Sequence, residues 1–184
     1  HAQKLLPMAE QLMVDAGVAY GDLDLIGFDR GPGSFTGVRI ATGLAQGMAM
    51  ARAIPLVPIS SLHILAWQYW RRHTASAEKY IHVAIDARMQ EIYYAVFTVK
   101  ANRLHYVLPE QVSRPQLADF PGVGLGSGFL AWPQLGAELT DVDAKALPDP
   151  HSALELIAQT TESDWVAPDQ ALPEYLRNNV ATPC

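Results

Sequence analysis

Three short stretches carry groups arranged for chemistry. The run Gly31-Pro32-Gly33-Ser34-Phe35-Thr36-Gly37 follows an apolar, strand-like segment and opens a helical one. Glycines 31 and 33 permit a tight turn. A turn that opens a helix aims free N–H groups and a positive dipole end outward, the arrangement that binds phosphate. The competing reading is structural: Ser34 or Thr36 accepts from the first free N–H groups as an N-cap. The run lacks the lysine of a phosphate-binding P-loop and does not read GxGxxG. Ser34 does not fit a nucleophile elbow, because Pro32 stands where that turn needs glycine.

The second stretch is Asp86-Ala87-Arg88, at the end of another strand-like run. A carboxylate in that place can hold a metal, but no second acid accompanies it at ligand spacing. An ion pair between Asp86 and Arg88 or Glu91 that pins a hairpin is the favoured reading. The third, Gly124 to Gly128, could pass close to a nucleotide base, and a plain turn explains it equally well. The six histidines, His1, His63, His73, His82, His105 and His151, form no HExxH or other short ligand pair. A zinc protease therefore has no support, and His63 and His82 read as residues at the edge of a core. Trp67, Tyr69 and Trp70 are spaced for helix packing rather than base stacking. These polar groups do not assemble into an active site.

The elements that would position them follow from periodicity. Residues 3–16 read as a helix, with Leu5, Met8, Leu12 and Ala16 on one stripe. A strand over 23–28, a helix over 36–52, a strand over 54–59 and a helix over 62–73 complete an α/β pattern with a parallel element. After a small polar break at 75–79, taken as a lobe boundary, the period becomes that of strands. An antiparallel hairpin over 80–86 and 91–99 is expected, with a third strand over 103–108. Ser113-Arg114-Pro115 carries a helix-start signal. A short strand at 123–125, a helix over 149–160 and a tail over 173–178 end the chain.

The 36–52 helix is unusual. Its polar side chains Arg39, Thr42 and Gln46 share one narrow stripe, and nearly everything else is apolar or small. Such a helix is buried on more than one side. Gly43 and Gly47 each cost about 1 kcal/mol relative to alanine in a helix interior. A close backbone, that of another helix of this chain or of a second chain, would compensate. The 184 residues suffice for one large core or two lobes. A net charge of −6 argues against a free-standing nucleic-acid binder. The one cysteine, Cys184, fits a reducing compartment, and no apolar run reaches membrane-spanning length, so a cytoplasmic location is expected.

Four stretches in order, GPGSFTGVRIATGLAQGMA, AIDARMQEIY (84–93), VGLGSGFLAWP (123–133) and PEYLRNNVA (173–181), resemble the bacterial TsaB (YeaZ) family. That family is the non-catalytic partner subunit in tRNA threonylcarbamoyladenosine biosynthesis. The resemblance implies an actin-like, ribonuclease-H-like fold of two lobes, 1–78 and 79–184, with the family's first strand meander missing before residue 1. It implies an adaptor without catalytic residues, cofactor or metal, which binds and activates a threonylcarbamoyl transferase of the TsaD type. ATP and magnesium would belong mainly to partner subunits, a TsaE-type ATPase among them. A homodimer is expected in isolation, and tRNA contact only through the complex. The partner interface would use Leu5, Met8, Leu12, Arg39, Ile40, Gly43, Leu44, Gly47, Met50 and Ala51, over at least ~1,200 Å². A vestigial nucleotide site would use Ser34, Thr36, Asp86, Arg88, Gly124 and Gly126. The alternatives are an ATP-binding actin-like enzyme, an ATPase or kinase, and a glycoprotease-like peptidase.

Overall fold

The computed structural model describes residues 2–73 and 80–176. The lobe boundary expected at 75–79 and the end of the PEYLRNNVA stretch lie outside the described residues. Helix α1 (Ala2–Ala16) leads into strand β1 (Ile26–Gly31), helix α2 (Phe35–Arg52) and strand β2 (Leu56–Ser60). β1 and β2 pair in parallel, with Ile26 opposite Leu56 and Phe28 opposite Pro58. Pro58 lacks an N–H, which an edge strand tolerates. The outer edge of β2 is closed at Leu56, whose backbone exchanges two hydrogen bonds with Val166 at 2.9 and 2.8 Å.

β1 sits three residues later than the apolar run suggests. Asp29 and Arg30 look like the end of a strand, yet both are held inside it. The Asp29 carboxylate accepts from Gly31 N–H at 2.9 Å and from the Ser61 hydroxyl at 2.7 Å. Burial holds its pKa above the usual carboxylate value, against the pull of those bonds. Partners supplied by distant residues thus keep two charges in the sheet.

Helix α3 (Ser61–Arg72) follows β2 at once. Ser60 caps it, accepting from Leu62 N–H at 3.1 Å and His63 N–H at 3.4 Å. The helix is buried on two sides. Leu62, Leu65 and Ala66 pack with Ile81, Val83, Phe97, Val123 and Leu125. Ile64 and Trp67 pack with Val57, Ile59 and Leu156.

The second sheet has the order β5-β4-β3-β6-β7. β3 (Tyr80–Arg88), β4 (Glu91–Lys100) and β5 (Arg103–Ser113) are antiparallel, as the periodicity suggests. β6 (Gly122–Leu125) and β7 (Asp141–Asp143) extend the sheet in parallel on the other side of β3. β5 runs five residues beyond its expected end, through irregular registers against Tyr94 to Phe97, and its Pro109 lies on the sheet edge. Helix α4 (Ser127–Ala131) starts at Gly126, whose φ of 100° suits glycine. Helix α5 (Pro150–Ile157) is capped by Asp149, which accepts from Ser152 N–H at 2.8 Å.

The helix expected from Ser113-Arg114-Pro115 does not form. The chain instead runs irregularly to Gly122, and tertiary bonds hold it there. His82, read from sequence as a core-edge residue, is completely buried. Its Nε2–H donates to Phe120 O at 2.9 Å, so Nδ1 accepts from the Tyr94 hydroxyl at 2.7 Å. The Tyr94 oxygen accepts in turn from Ala118 N–H at 3.1 Å. These bonds and the packing of Leu117, Ala118 and Phe120 on the sheet outweigh a local helix signal. His63, on α3, lies against the Phe97 ring at 5.3 Å and the Tyr106 ring at 5.8 Å. Burial, then the Arg30 charge, push its pKa down to about 4.

Two outcomes follow from these buried polar groups. Tyr94→Phe leaves His82 Nδ1 and the Ala118 N–H unpaired, and urea unfolding should show a loss of roughly 2–3 kcal/mol; a loss under about 0.5 kcal/mol refutes the network. The second concerns pH. His63 is neutral when folded but takes a proton near 6.5 when unfolded. Stability is therefore full above about pH 6.5 and falls toward pH 4, by up to roughly 3 kcal/mol, with His82 adding in the same direction. Denaturation curves at about pH 7 and about pH 4.5 should differ less in His63→Phe than in the parent.

Candidate functional site

Two surfaces gather the residues singled out by sequence. The first is a cleft of about 840 Å³ bounded by the start of α2, the β3–β4 hairpin, α4 and the C-terminal segment. Gly33, Ser34, Phe35 and Val38 line it from the start of α2, and Asp86, Arg88, Met89 and Tyr93 from the β3–β4 hairpin. Ser127, Leu130 and Ala131 of α4 and residues 173–176 form the other walls. The lining is mostly apolar and aromatic.

Ser34, Asp86, Arg88 and Ser127 of this cleft have partners within the chain. The Ser34 hydroxyl accepts from Gly37 N–H at 3.3 Å and so caps α2. Asp86 accepts from the Arg88 N–H at 2.9 Å and pairs with its guanidinium at 3.2 Å, the ion pair favoured from sequence. Its own N–H donates to the Ser127 hydroxyl at 3.1 Å. Arg88, Met89 and Gln90 all have positive φ, between 51° and 61°, in a turn without glycine. The Arg88 side chain is 88% exposed, so its pair with Asp86 orders the turn more than it stabilises the fold.

Of the six residues assigned to a vestigial nucleotide site, Ser34, Asp86 and Arg88 line this cleft, and Thr36, Gly124 and Gly126 do not. The two glycines serve packing. A Cβ on Gly124 would stand 2.7 Å from Phe129, and one on Gly126 would stand 2.6 Å from Ala84 O. Among the described residues no three His, Cys, Asp or Glu side chains gather as a metal site requires, and no helix is long and apolar enough to cross a membrane.

One cluster beside the cleft carried no local signal. Arg30 pairs with Glu110 of β5 at 3.3 Å and also with Glu174. Glu110 accepts from the Tyr106 hydroxyl at 2.7 Å, and Glu174 N–H donates to Arg30 O at 2.8 Å. Burial and the Glu110 charge push the Tyr106 phenol pKa up. The partners come from β1, β5 and the C-terminal segment, so no sequence spacing announces them.

The second surface is the outer side of α1 and α2, which pack against each other. The Tyr20 hydroxyl donates to Met48 O, and Arg52 Nη2 donates to Gly21 O at 2.6 Å; both tie the α1–β1 connection to α2. Among the ten residues assigned to the interface, Leu5, Ile40 and Leu44 are half-buried. Met8, Leu12 and Met50 are 58%, 66% and 65% exposed, and Gly43, Gly47 and Ala51 are also exposed. A Cβ added at Gly43 or Gly47 would meet nothing within 4 Å.

Arg39 differs from the other nine. Its guanidinium lies 3.7 Å from the centre of the Phe35 ring, and its Nε donates to the Tyr175 hydroxyl at 3.0 Å. The polar stripe of α2 as a whole serves the chain itself. Thr42 is buried and donates to Val38 O, and Gln46 donates to Pro168 O and Ala171 O at 3.1 and 2.9 Å.

Known proteins agree with this architecture. Residues 1–127 match the family model described as TsaD, tRNA N6-adenosine threonylcarbamoyltransferase. The tRNA threonylcarbamoyladenosine biosynthesis protein TsaB of Escherichia coli is 36% identical over 98% of this chain and 82% of its own length. The protein of the same name from Haemophilus influenzae is 33% identical over 98% and 81%. A structure of YeaZ from Pseudomonas aeruginosa superposes with a TM-score of 0.86 at 36% identity, over 96% of this chain and 84% of that one. These matches show that the chain belongs to the TsaB (YeaZ) family of tRNA threonylcarbamoyladenosine biosynthesis proteins, which is related to the TsaD transferases.

Proposed function

We propose that this chain is a non-catalytic adaptor, which binds and activates the transferase that places threonylcarbamoyl on the tRNA adenosine beside the anticodon. The observation that carries the reading is the open face of α2. Gly43 and Gly47 have free space above them, and Met50 of the same helix and Met8 and Leu12 of the neighbouring α1 are exposed. Within a monomer, such glycines weaken a helix and fill no packing need. Against a second helix pair they let backbones approach closely, and the exposed methionines adapt to the partner's shape. The partner is a TsaD-type subunit, with a second copy of this chain as its substitute in isolation. A TsaE-type ATPase joins the assembly, ATP and magnesium sit mainly on those subunits, and tRNA is met only through the complex.

The two sheets are, in this reading, the centres of two actin-like lobes, 1–78 and 79–184. The family's strand meander would add to the edge of β1, which among the described residues pairs with β2 alone. A rival reading, an ATP-binding enzyme, draws on the cleft beside the glycine turn. Against it stand the pairing of Asp86 with Arg88 and the use of the Ser34 hydroxyl as a cap.

Replacing Gly43 and Gly47 together with leucine separates folding from assembly. The variant should be at least as stable as the parent, since leucine favours helix by close to 1 kcal/mol per site and meets open space. Its affinity for the TsaD-type subunit should fall roughly a hundredfold, the effect of about 3 kcal/mol of overpacking. Unchanged assembly, measured by titration or analytical ultracentrifugation, sinks the adaptor interface as drawn. Calorimetry of the isolated chain with magnesium and ATP decides the rival. The adaptor reading expects a Kd weaker than about 1 mM, and tighter binding supports the enzyme.

A further inference from the structure

The C-terminal segment is built in two parts. As far as Ala171 it belongs to the core: Val166 pairs with Leu56, Gln46 holds the carbonyls of Pro168 and Ala171, and Ala171 is 1% exposed. Beyond Ala171 the character changes. Leu172 is 66% exposed and Tyr175 50%. Pro173, Glu174 and Leu176 are half-buried, and the polar contacts of this part sit on two arginines. Glu174 bonds Arg30 through both its N–H and its carboxylate, and Tyr175 accepts from Arg39 Nε.

Residues 173–176 form one wall of the cleft, which Met89, Tyr93 and Leu130 also line. The exposed Arg39–Tyr175 bond contributes about 1 kcal/mol or less, Arg30 and Glu174 are each 27% exposed at their pair, and a segment held by so few polar contacts can open without global unfolding. A buried anchor followed by weak fasteners over an apolar cavity is the construction of a latch. We propose that residues 173–176 are a latch on the cleft, hinged after Ala171, which opens by releasing Arg30 and Arg39 and uncovers the apolar lining. Because Arg39 lies on α2, the latch also joins the cleft to the helix that carries the open glycine face. The latch itself is a property of the isolated chain and does not depend on the adaptor reading.

The test uses the isolated chain and two single variants, Glu174→Gln and Arg39→Ala. Amide hydrogen exchange followed by mass spectrometry reads positions 174–176, with β4 and α3 as internal references. The fluorescent apolar anion 1-anilinonaphthalene-8-sulfonate reads access to the cleft. Each variant should exchange at 174–176 roughly fivefold faster, as loss of one such contact implies, with β4 and α3 unchanged. Dye binding should rise with it, and adding Leu130→Glu should abolish the rise by placing a like charge in the lining. Where Arg39→Ala lowers protection in β4 as well, Tyr175→Phe, which removes only the hydroxyl, replaces it. Unchanged exchange at 174–176 overturns the latch. Faster exchange without added dye binding, or a dye gain that survives Leu130→Glu, overturns its role as cover of the cleft.

Discussion

Burial of α3 on two sides is the constraint from which the rest of the architecture follows. Leu62, Leu65 and Ala66 belong to the core of the five-stranded sheet, and Ile64 and Trp67 to that of the β1–β2 pair. Fully burying one such aliphatic side chain contributes roughly 1.5–3 kcal/mol, so both contacts are strong. Neither sheet can shift along the helix without losing one of them. Polar pairs fix the helix ends. At its start Ser61 bonds Asp29, and at its end Trp70 bonds Asn102 while Arg71 pairs with Glu155. The two sheets are therefore held at a fixed spacing by α3.

Glycines in this chain fall into two kinds, and the difference bears on function. At Gly122 and Gly128 the chain's own backbone or side chains occupy the place of a Cβ, at 2.1 Å from Tyr80 O and 2.7 Å from the Ala84 Cβ. There glycine is required by the packing of β6 and α4 on β3. At Gly43 and Gly47 the place is empty. Helix propensity alone would favour alanine at both, so the monomer gives no reason for glycine. A reason outside the monomer is the simplest one left, and it is why the open face of α2, more than the cleft, carries the adaptor reading.

Much of the element order was legible from local pattern. The 80–100 hairpin announced itself by a continuous apolar run, and α2 and α3 by serine caps and helical spacing. The misses share one cause, which is that the deciding partner lies far away in sequence. Asp29 and Arg30 stay in a strand because Ser61, Glu110 and Glu174 receive them. The signal at Ser113 to Pro115 yields because His82 and Tyr94 hold the backbone at Phe120 and Ala118. The role of Tyr175 was invisible for the same reason: nothing near it in sequence points to Arg39. Glycine spacing at 124 and 126 suggested a ligand where close packing of the chain is the cause.

The circumference of α2 joins these observations. Residues three and four apart share a face, so a helix of 18 residues can address several surroundings at once. Ala45 and Ala49 face Phe28, Leu56 and Ala171 in the core. Arg39, Thr42 and Gln46 form the stripe that keeps the C-terminal segment and the helix's own turn in order. Gly43 and Gly47 face open space. In a sequence the polar stripe looks like the solvent side and the glycines like the buried side. The fold departs from both, because the chain returns after α5 to hold Gln46 and Thr42 is buried, while Arg39 stays exposed. Gly43, Gly47 and Ala51 are thereby left on the exposed side of the helix with Met50. Such a surface has little affinity for water and room for a backbone, and an arginine on its flank already holds the segment that borders the cleft.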